Sequence, residues 1–174
     1  KKTKLNSKFR EGFWVNCSKR LFLIYEYMKN NNITNCIHLE NDVILYADLT
    51  SYFKNDNNNI YITMDHENRC IPGIMYIPNY TLLNNLINNY NYSENDMKNI
   101  AKFYNSNKDI CKTFPIINEN SYFKYKNMYN DNFSEFNSIF DAAAIGQYLG
   151  GVDPWNISGD TCGFINETCV VKYN

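Results

Sequence analysis

Glu40 and Asp42 are separated by one residue, directly after the apolar run Cys36-Ile37-His38-Leu39. Two carboxylates at that spacing, on backbone leaving a strand, can both turn toward a hard divalent cation. Mg2+ and Mn2+ take one or two protein carboxylates and complete their shells with water and the phosphate oxygens of a substrate. The pair therefore predicts Mn2+ or Mg2+ bridging to a diphosphate. An acid-x-acid triplet is also ordinary in Asn-rich solvated turns, so its position at a strand end carries the argument. His38, inside the apolar run, reads as a core histidine. His66 and Asp65 lie in the polar stretch Asp65-His66-Glu67-Asn68-Arg69, where an imidazole could approach a phosphate and a carboxylate could accept a proton.

The elements that must position these groups follow from periodicity. Ser18 can cap a helix over about Lys19 to Lys29, with Leu21, Ile24, Tyr25 and Met28 at helical spacing. Cys36 to Leu39 is the continuous apolar run of a buried parallel strand, ending in acids. Ile60 to Met64 and Ile71 to Ile77 read as strands joined by a polar loop. Thr81 to Asn89 reads as a helix, and Ser93 can cap a further one with acids in its first turn, where the macrodipole favours them. From Cys111 to Phe136 the pattern is irregular, and Ser138 to Leu149 reads as a helix stopped by Gly150-Gly151. Alternating helices and buried strands predict a single α/β domain with a mostly parallel, Rossmann-like sheet, whose ligands sit beyond the carboxyl ends of its strands.

Composition narrows the partners. The 174 residues are 44% apolar and 16% aromatic, enough for one core. A net charge of −1, from 17 basic and 18 acidic side chains, argues against a nucleic-acid binder held by counterion release. No apolar run reaches the ~20 residues of a membrane span, and the basic N-terminus leads into polar residues rather than a signal-peptide core. Asparagine occurs 31 times, mostly between periodic segments, so seven Asn-x-Ser/Thr triplets carry no weight as glycosylation signals. Six cysteines show no metal-site spacing and are expected to be reduced, structural thiols, in keeping with a cytoplasmic setting. Cys162 and Cys169 are the pair spaced to close a short hairpin if the chain is exported.

The segment His38-Leu39-Glu40-Asn41-Asp42-Val43-Ile44-Leu45-Tyr46-Ala47-Asp48-Leu49 resembles the metal-binding region of glycosyltransferases with the GT-A fold. There a strand ends in a DxD-type motif, runs through a few apolar residues and reaches an Asp-Leu pair. Phe140-Asp141-Ala142-Ala143-Ala144-Ile145-Gly146-Gln147-Tyr148-Leu149-Gly150-Gly151-Val152-Asp153-Pro154 is similar to a segment of GT-A-like enzymes, including ones encoded by large DNA viruses. Glu40 stands where the family usually has Asp. The family also opens with an apolar strand that Lys1 to Phe13 does not contain, so the chain is expected to be a piece of a longer one.

The resemblance implies a metal-dependent enzyme that moves a sugar from a nucleotide-diphosphate donor to a glycan acceptor. It assigns the cation to Glu40 and Asp42, a donor contact to Arg20 and the acceptor side to Gly73; by their own chemistry Asn41 and His66 join the donor contacts, and Gln147 and Asp153, whose planar polar groups can pair with sugar hydroxyls, join the acceptor side. Asp141 would take the acceptor proton, with Asp65 in reserve; capping a helix is the ordinary role of an Asp at that place. The alternative is a non-catalytic carbohydrate-binding or structural domain on the same scaffold.

Overall fold

The computed structural model describes residues 3–53, 58–116 and 132–140. A short 3-10 turn, Phe9–Gly12, leads into α1 (Phe13–Asn30). Strand β1 (Cys36–Leu39) follows, then β2 (Ile60–His66) and β3 (Arg69–Ile77). Helices α2 (Tyr80–Asn88) and α3 (Asp96–Ser106) precede the short strand β4 (Cys111–Thr113) and a single helical turn, α4 (Phe133–Phe136).

The sheet order is β1-β3-β2-β4. β3 is antiparallel to both neighbours, pairing Leu39 with Ile74 and Tyr61 with Tyr76, while β2 and β4 are parallel, pairing Ile60 with Cys111. The expected mostly parallel sheet is thus corrected among the described residues: two of its three pairings are antiparallel. An unbroken apolar run signals a strand buried on both faces; β2 over 60–64 and β3 over 74–77 meet that condition without parallel pairing, whereas β1, at the end of the strand order, is half-buried. Ile60, Ile62 and Met64 of β2 and Met75 and Ile77 of β3 face a cluster with Leu21 and Met28 of α1, Leu83 and Leu86 of α2, and Ile100 of α3. The alternate residues Tyr61, Ile74 and Tyr76 face an aromatic cluster with Leu49, Phe53, Phe114, Phe136 and Phe140. Successive side chains point to opposite faces, so both covers draw on the same strands.

Several boundaries differ from expectation for local reasons. α1 starts at Phe13, after Gly12 at φ +85°, a left-handed conformation that glycine adopts without steric cost. Ser18 lies inside it and is buried rather than capping. The helix after Ser93 is capped two residues later, where the Asn95 side chain accepts from the Lys98 amide at 3.0 Å. Asn79 caps α2 in the same way, accepting from Leu82 at 3.0 Å. Both caps are asparagines, whose short amide does this as well as serine. The polar loop after β2 shrinks to Glu67 and Asn68, with His66 and Arg69 already paired. Of the helix expected over Ser138 to Leu149, residues 138–140 are described and not helical, and the rest lies outside the described residues. Cys17, Cys36, Cys70 and Cys111 are reduced thiols, outside any disulfide; Cys162 and Cys169 lie outside the described residues.

No helix among the described residues is long and apolar enough to cross a membrane.

Candidate functional site

Because β3 runs against both β1 and β2, and β4 runs with β2, strands β1, β2 and β4 all point the same way. Their carboxyl ends share one end of the sheet. Glu40 continues β1 by one residue: its amide donates to the Gly73 carbonyl at 2.9 Å, extending the Leu39–Ile74 register. Cys36 packs with the helical cluster, whereas Ile37 and Leu39 pack with the aromatic one, so even-numbered positions of β1 face the helices. This parity carries Glu40 toward α1, where its carboxylate accepts from Arg20 Nη1. The chain then turns, with the Val43 amide donating to the Glu40 carbonyl at 3.2 Å, and Asn41 and Asp42 emerge exposed.

Arg20 has a second partner. Its Nη2 donates at 2.7 Å to Oδ2 of Asp96, the first residue of α3, whose side chain is only 1% exposed against 36% for Glu40. Burial pushes the Asp96 carboxyl up, and Arg20 offsets only part of that. Burial also pulls Arg20 down, but the bond to Glu40 and the charges of both carboxylates outweigh it and leave the guanidinium raised. The two directions pull the pair opposite ways. Arg20 decides its state, because a guanidinium keeps its proton across the accessible pH range. One cation thus faces two carboxylates, a formal −1 at the end of β1.

Gly73 borders this group. A methyl there would lie at ordinary contact distance, 3.7 Å from Glu40 Oε2 and 3.6 Å from Val43, so position 73 lines the carboxylate oxygen that Arg20 does not engage without requiring a glycine. After Asp42 the chain exposes Ile44 (71%) and Tyr46 (93%), then returns to the fold at Leu49 and Phe53. Asp48 closes a tight turn, accepting from the Thr50 amide at 2.9 Å and the Thr50 hydroxyl at 2.6 Å.

The structure therefore brings Arg20, Glu40 and Gly73 together, with Asn41 and Asp42 in the adjoining turn. Asp65 and His66 end β2 at the same end of the sheet, at the hairpin tip. Arg69, opposite His66, lies four residues along β3 from Gly73, roughly 13 Å at ~3.3 Å per residue. Those two positions project well beyond Glu40. Asp141, Gln147 and Asp153 lie outside the described residues; the Phe140 amide, just before Asp141, donates to the Pro115 carbonyl at 2.8 Å on the aromatic side. His38 is half-buried on the helical side, and burial and Arg20 both lower its basicity against an opposing Glu40, so it is neutral at pH 7. Sequence reasoning treated Asp96 only as a first-turn acid. The overlooked signal is its phase: Asp96 precedes Asn99, Ile100 and Phe103 by three, four and seven residues, on the buried stripe of α3.

Among the described residues there is no group of three or more His, Cys, Asp or Glu arranged to hold a metal. The donor set of Glu40, whose Oε2 Arg20 does not engage, and exposed Asp42 two residues on is of the oxygen type that Mg2+ or Mn2+ takes when phosphates supply further ligands. No protein-family model, no curated protein and no solved structure matches the chain.

Proposed function

We propose that the chain is the catalytic part of a metal-dependent glycosyltransferase of GT-A type, moving a sugar from a nucleotide-diphosphate donor to a glycan acceptor. The observation that carries the reading is Glu40 at the carboxyl end of β1, hydrogen-bonded to Arg20, with Asp42 exposed two residues later. Because β1, β2 and β4 run in one direction, the loops leaving them gather at that end of the sheet, where one ligand can meet several of them.

Breaking a sugar–phosphate bond builds negative charge on the departing diphosphate. A Mn2+ or Mg2+ ion held by Glu40 and Asp42 would supply Lewis-acid stabilisation of that charge. Arg20 adds a fixed positive charge beside it, and Asn41 can donate its amide to a phosphate oxygen. Asp141 is the residue assigned to take the acceptor hydroxyl's proton, with Asp65 in reserve, His66 on the donor side, and Gln147 and Asp153 as partners for acceptor hydroxyls.

The test is turnover of a panel of sugar nucleotides with Mn2+, in the wild type and in Asp42→Ala. Loss of turnover in the variant, with unchanged circular dichroism, is the expected result. Undiminished turnover in Asp42→Ala, or no sugar nucleotide accepted by the wild type, overturns it. A second reading, a non-catalytic carbohydrate-binding domain on this scaffold, draws on the same ion pair, since Arg20 already satisfies one Glu40 oxygen from within the chain. Binding of glycans without hydrolysis of any sugar nucleotide would select it.

A further inference from the structure

We propose that Asp96 is a positioning residue: it anchors Arg20 through Nη2, so that Nη1 is free to pass from the Glu40 carboxylate to a phosphate oxygen when a cation takes Glu40. This rests on the reading of Glu40 and Asp42 as the cation site.

The contrast between the two carboxylates carries the argument. Glu40 sits at a strand end with a side chain 36% exposed, within reach of a ligand; the Asp96 side chain is 1% exposed and beyond one. A salt bridge serving stability alone would need one carboxylate for one guanidinium. Burying a second costs desolvation that attraction must recover, so a purely structural triad is poor value. A guanidinium, in contrast, presents several donors in a rigid fork and can keep one partner while exchanging another, which a lysine ammonium on a flexible stem does not do.

The surroundings of Asp96 are fixed in a manner that suits an anchor. Asn95 caps α3 through the Lys98 amide at 3.0 Å. Asn99, one turn on and buried, ties the preceding loop to the helix: its Nδ2 donates to the carbonyls of Asn91 (3.1 Å), Glu94 (3.1 Å) and Asn95 (2.9 Å), and its Oδ1 accepts from the Asn91 amide at 2.6 Å. The backbone on both sides of Asp96 is therefore held by side chains of its own helix. The backbone of Glu40, in contrast, has the strand-end bond to Gly73 and the turn to Val43.

Simple charge counting predicts the opposite of this proposal. Removing the negative charge of Asp96 should strengthen the binding of an anion nearby, whereas loss of an anchor should weaken it. The experiment is calorimetric binding of inorganic pyrophosphate in the presence of Mn2+ to the full chain, in the wild type, Asp96→Asn, Arg20→Gln and the double variant, with melting curves for each. Asp96→Asn is expected to bind about 10- to 100-fold more weakly, the range seen when a residue supporting a ligating group is removed. The double variant is expected to be no weaker than Arg20→Gln alone, because Asp96 acts only through Arg20. Wild-type or tighter affinity in Asp96→Asn, or losses that add in the double variant, overturns the proposal and leaves the cation site standing. Failure of the wild type to bind Mn2+ with pyrophosphate overturns both. Should Asp96→Asn not fold, Arg20→Lys carries the same test: it keeps the charge without the fork, is expected to lose affinity as Arg20→Gln does, and wild-type binding by it refutes the anchor.

Discussion

Replacing Phe53 by alanine tests whether the segment that follows the acidic turn is held by one ring. Phe53 is 4% exposed, stacks on Tyr76 at a centroid distance of 3.8 Å, and meets Tyr61 at 5.5 Å, Phe136 at 5.9 Å and Phe114 at 6.0 Å. A buried Phe→Ala change costs about 3–5 kcal/mol through lost transfer energy and the cavity left behind. Aromatic pairs add about 0.5–1.5 kcal/mol each beyond area, which places Phe53 at the upper end of that range. Phe53→Leu keeps most of the apolar volume and removes the ring contacts, so it is expected to lose about 1–3 kcal/mol if two pairs count fully. Urea unfolding followed by circular dichroism reads both. With a slope near 2 kcal/mol per molar urea, a loss of about 4 kcal/mol moves the midpoint by about 2 M. A shift below about 0.5 M for Phe53→Ala, at unchanged slope, would refute the claim that this ring fastens the segment to the sheet.

Two further outcomes follow from other contacts. Asn99→Ala is expected to lower stability by about 2 kcal/mol, the net worth of its hydrogen bonds where partly exposed partners can turn to water; it should also speed hydrogen exchange at the Asn91 amide, and an unchanged rate there would refute the network. Cys17 is half-buried, and burial, reinforced by Asp96 and opposed by Arg20, pushes its thiol up to about 11. The thiolate is the reactive form, so iodoacetamide modification of native Cys17, followed by peptide mass mapping, should rise about tenfold per pH unit from 8 to 10 without levelling. A plateau near pH 9, as for an ordinary thiol, would show the environment to be otherwise.

Much of the scaffold was legible in sequence where one physical demand dominated. Cys36 to Leu39 stands out as a strand because a short run with three apolar residues around His38 ends abruptly in acids, and the structure places β1 there. The apolar stripes of α1 and α2 were equally plain. Strand direction was not, because burial on both faces produces the same run whether neighbours are parallel or antiparallel; Tyr76 and Met75 are both buried, one under aromatic rings and one under helices. β4 went unseen because it has three residues, with Lys112 at its centre. The cap of α3 lies two residues beyond the expected Ser93, at Asn95, because asparagine competes with serine for that role. At the site, the acid pair's place at a strand end singled out Glu40 and the family resemblance singled out Arg20, and the structure pairs the two. The link to Asp96 spans 76 positions in the chain and depends on how α3 packs, which local pattern does not encode.

The acidic turn lies between two firm attachments: Glu40, tied to Gly73 and Arg20, and the ring of Phe53 in the aromatic layer. From Asn41 to Asp48 the chain is exposed save for half-buried Val43, and it spends little of its surface on the core. Such a hoop, fastened at both feet, is poorly coupled to the free energy of folding. Its residues, Ile44 and Tyr46 among them, can therefore be exchanged while the sheet beneath keeps its strength, so the make-up of this surface and thermal robustness are here separately adjustable.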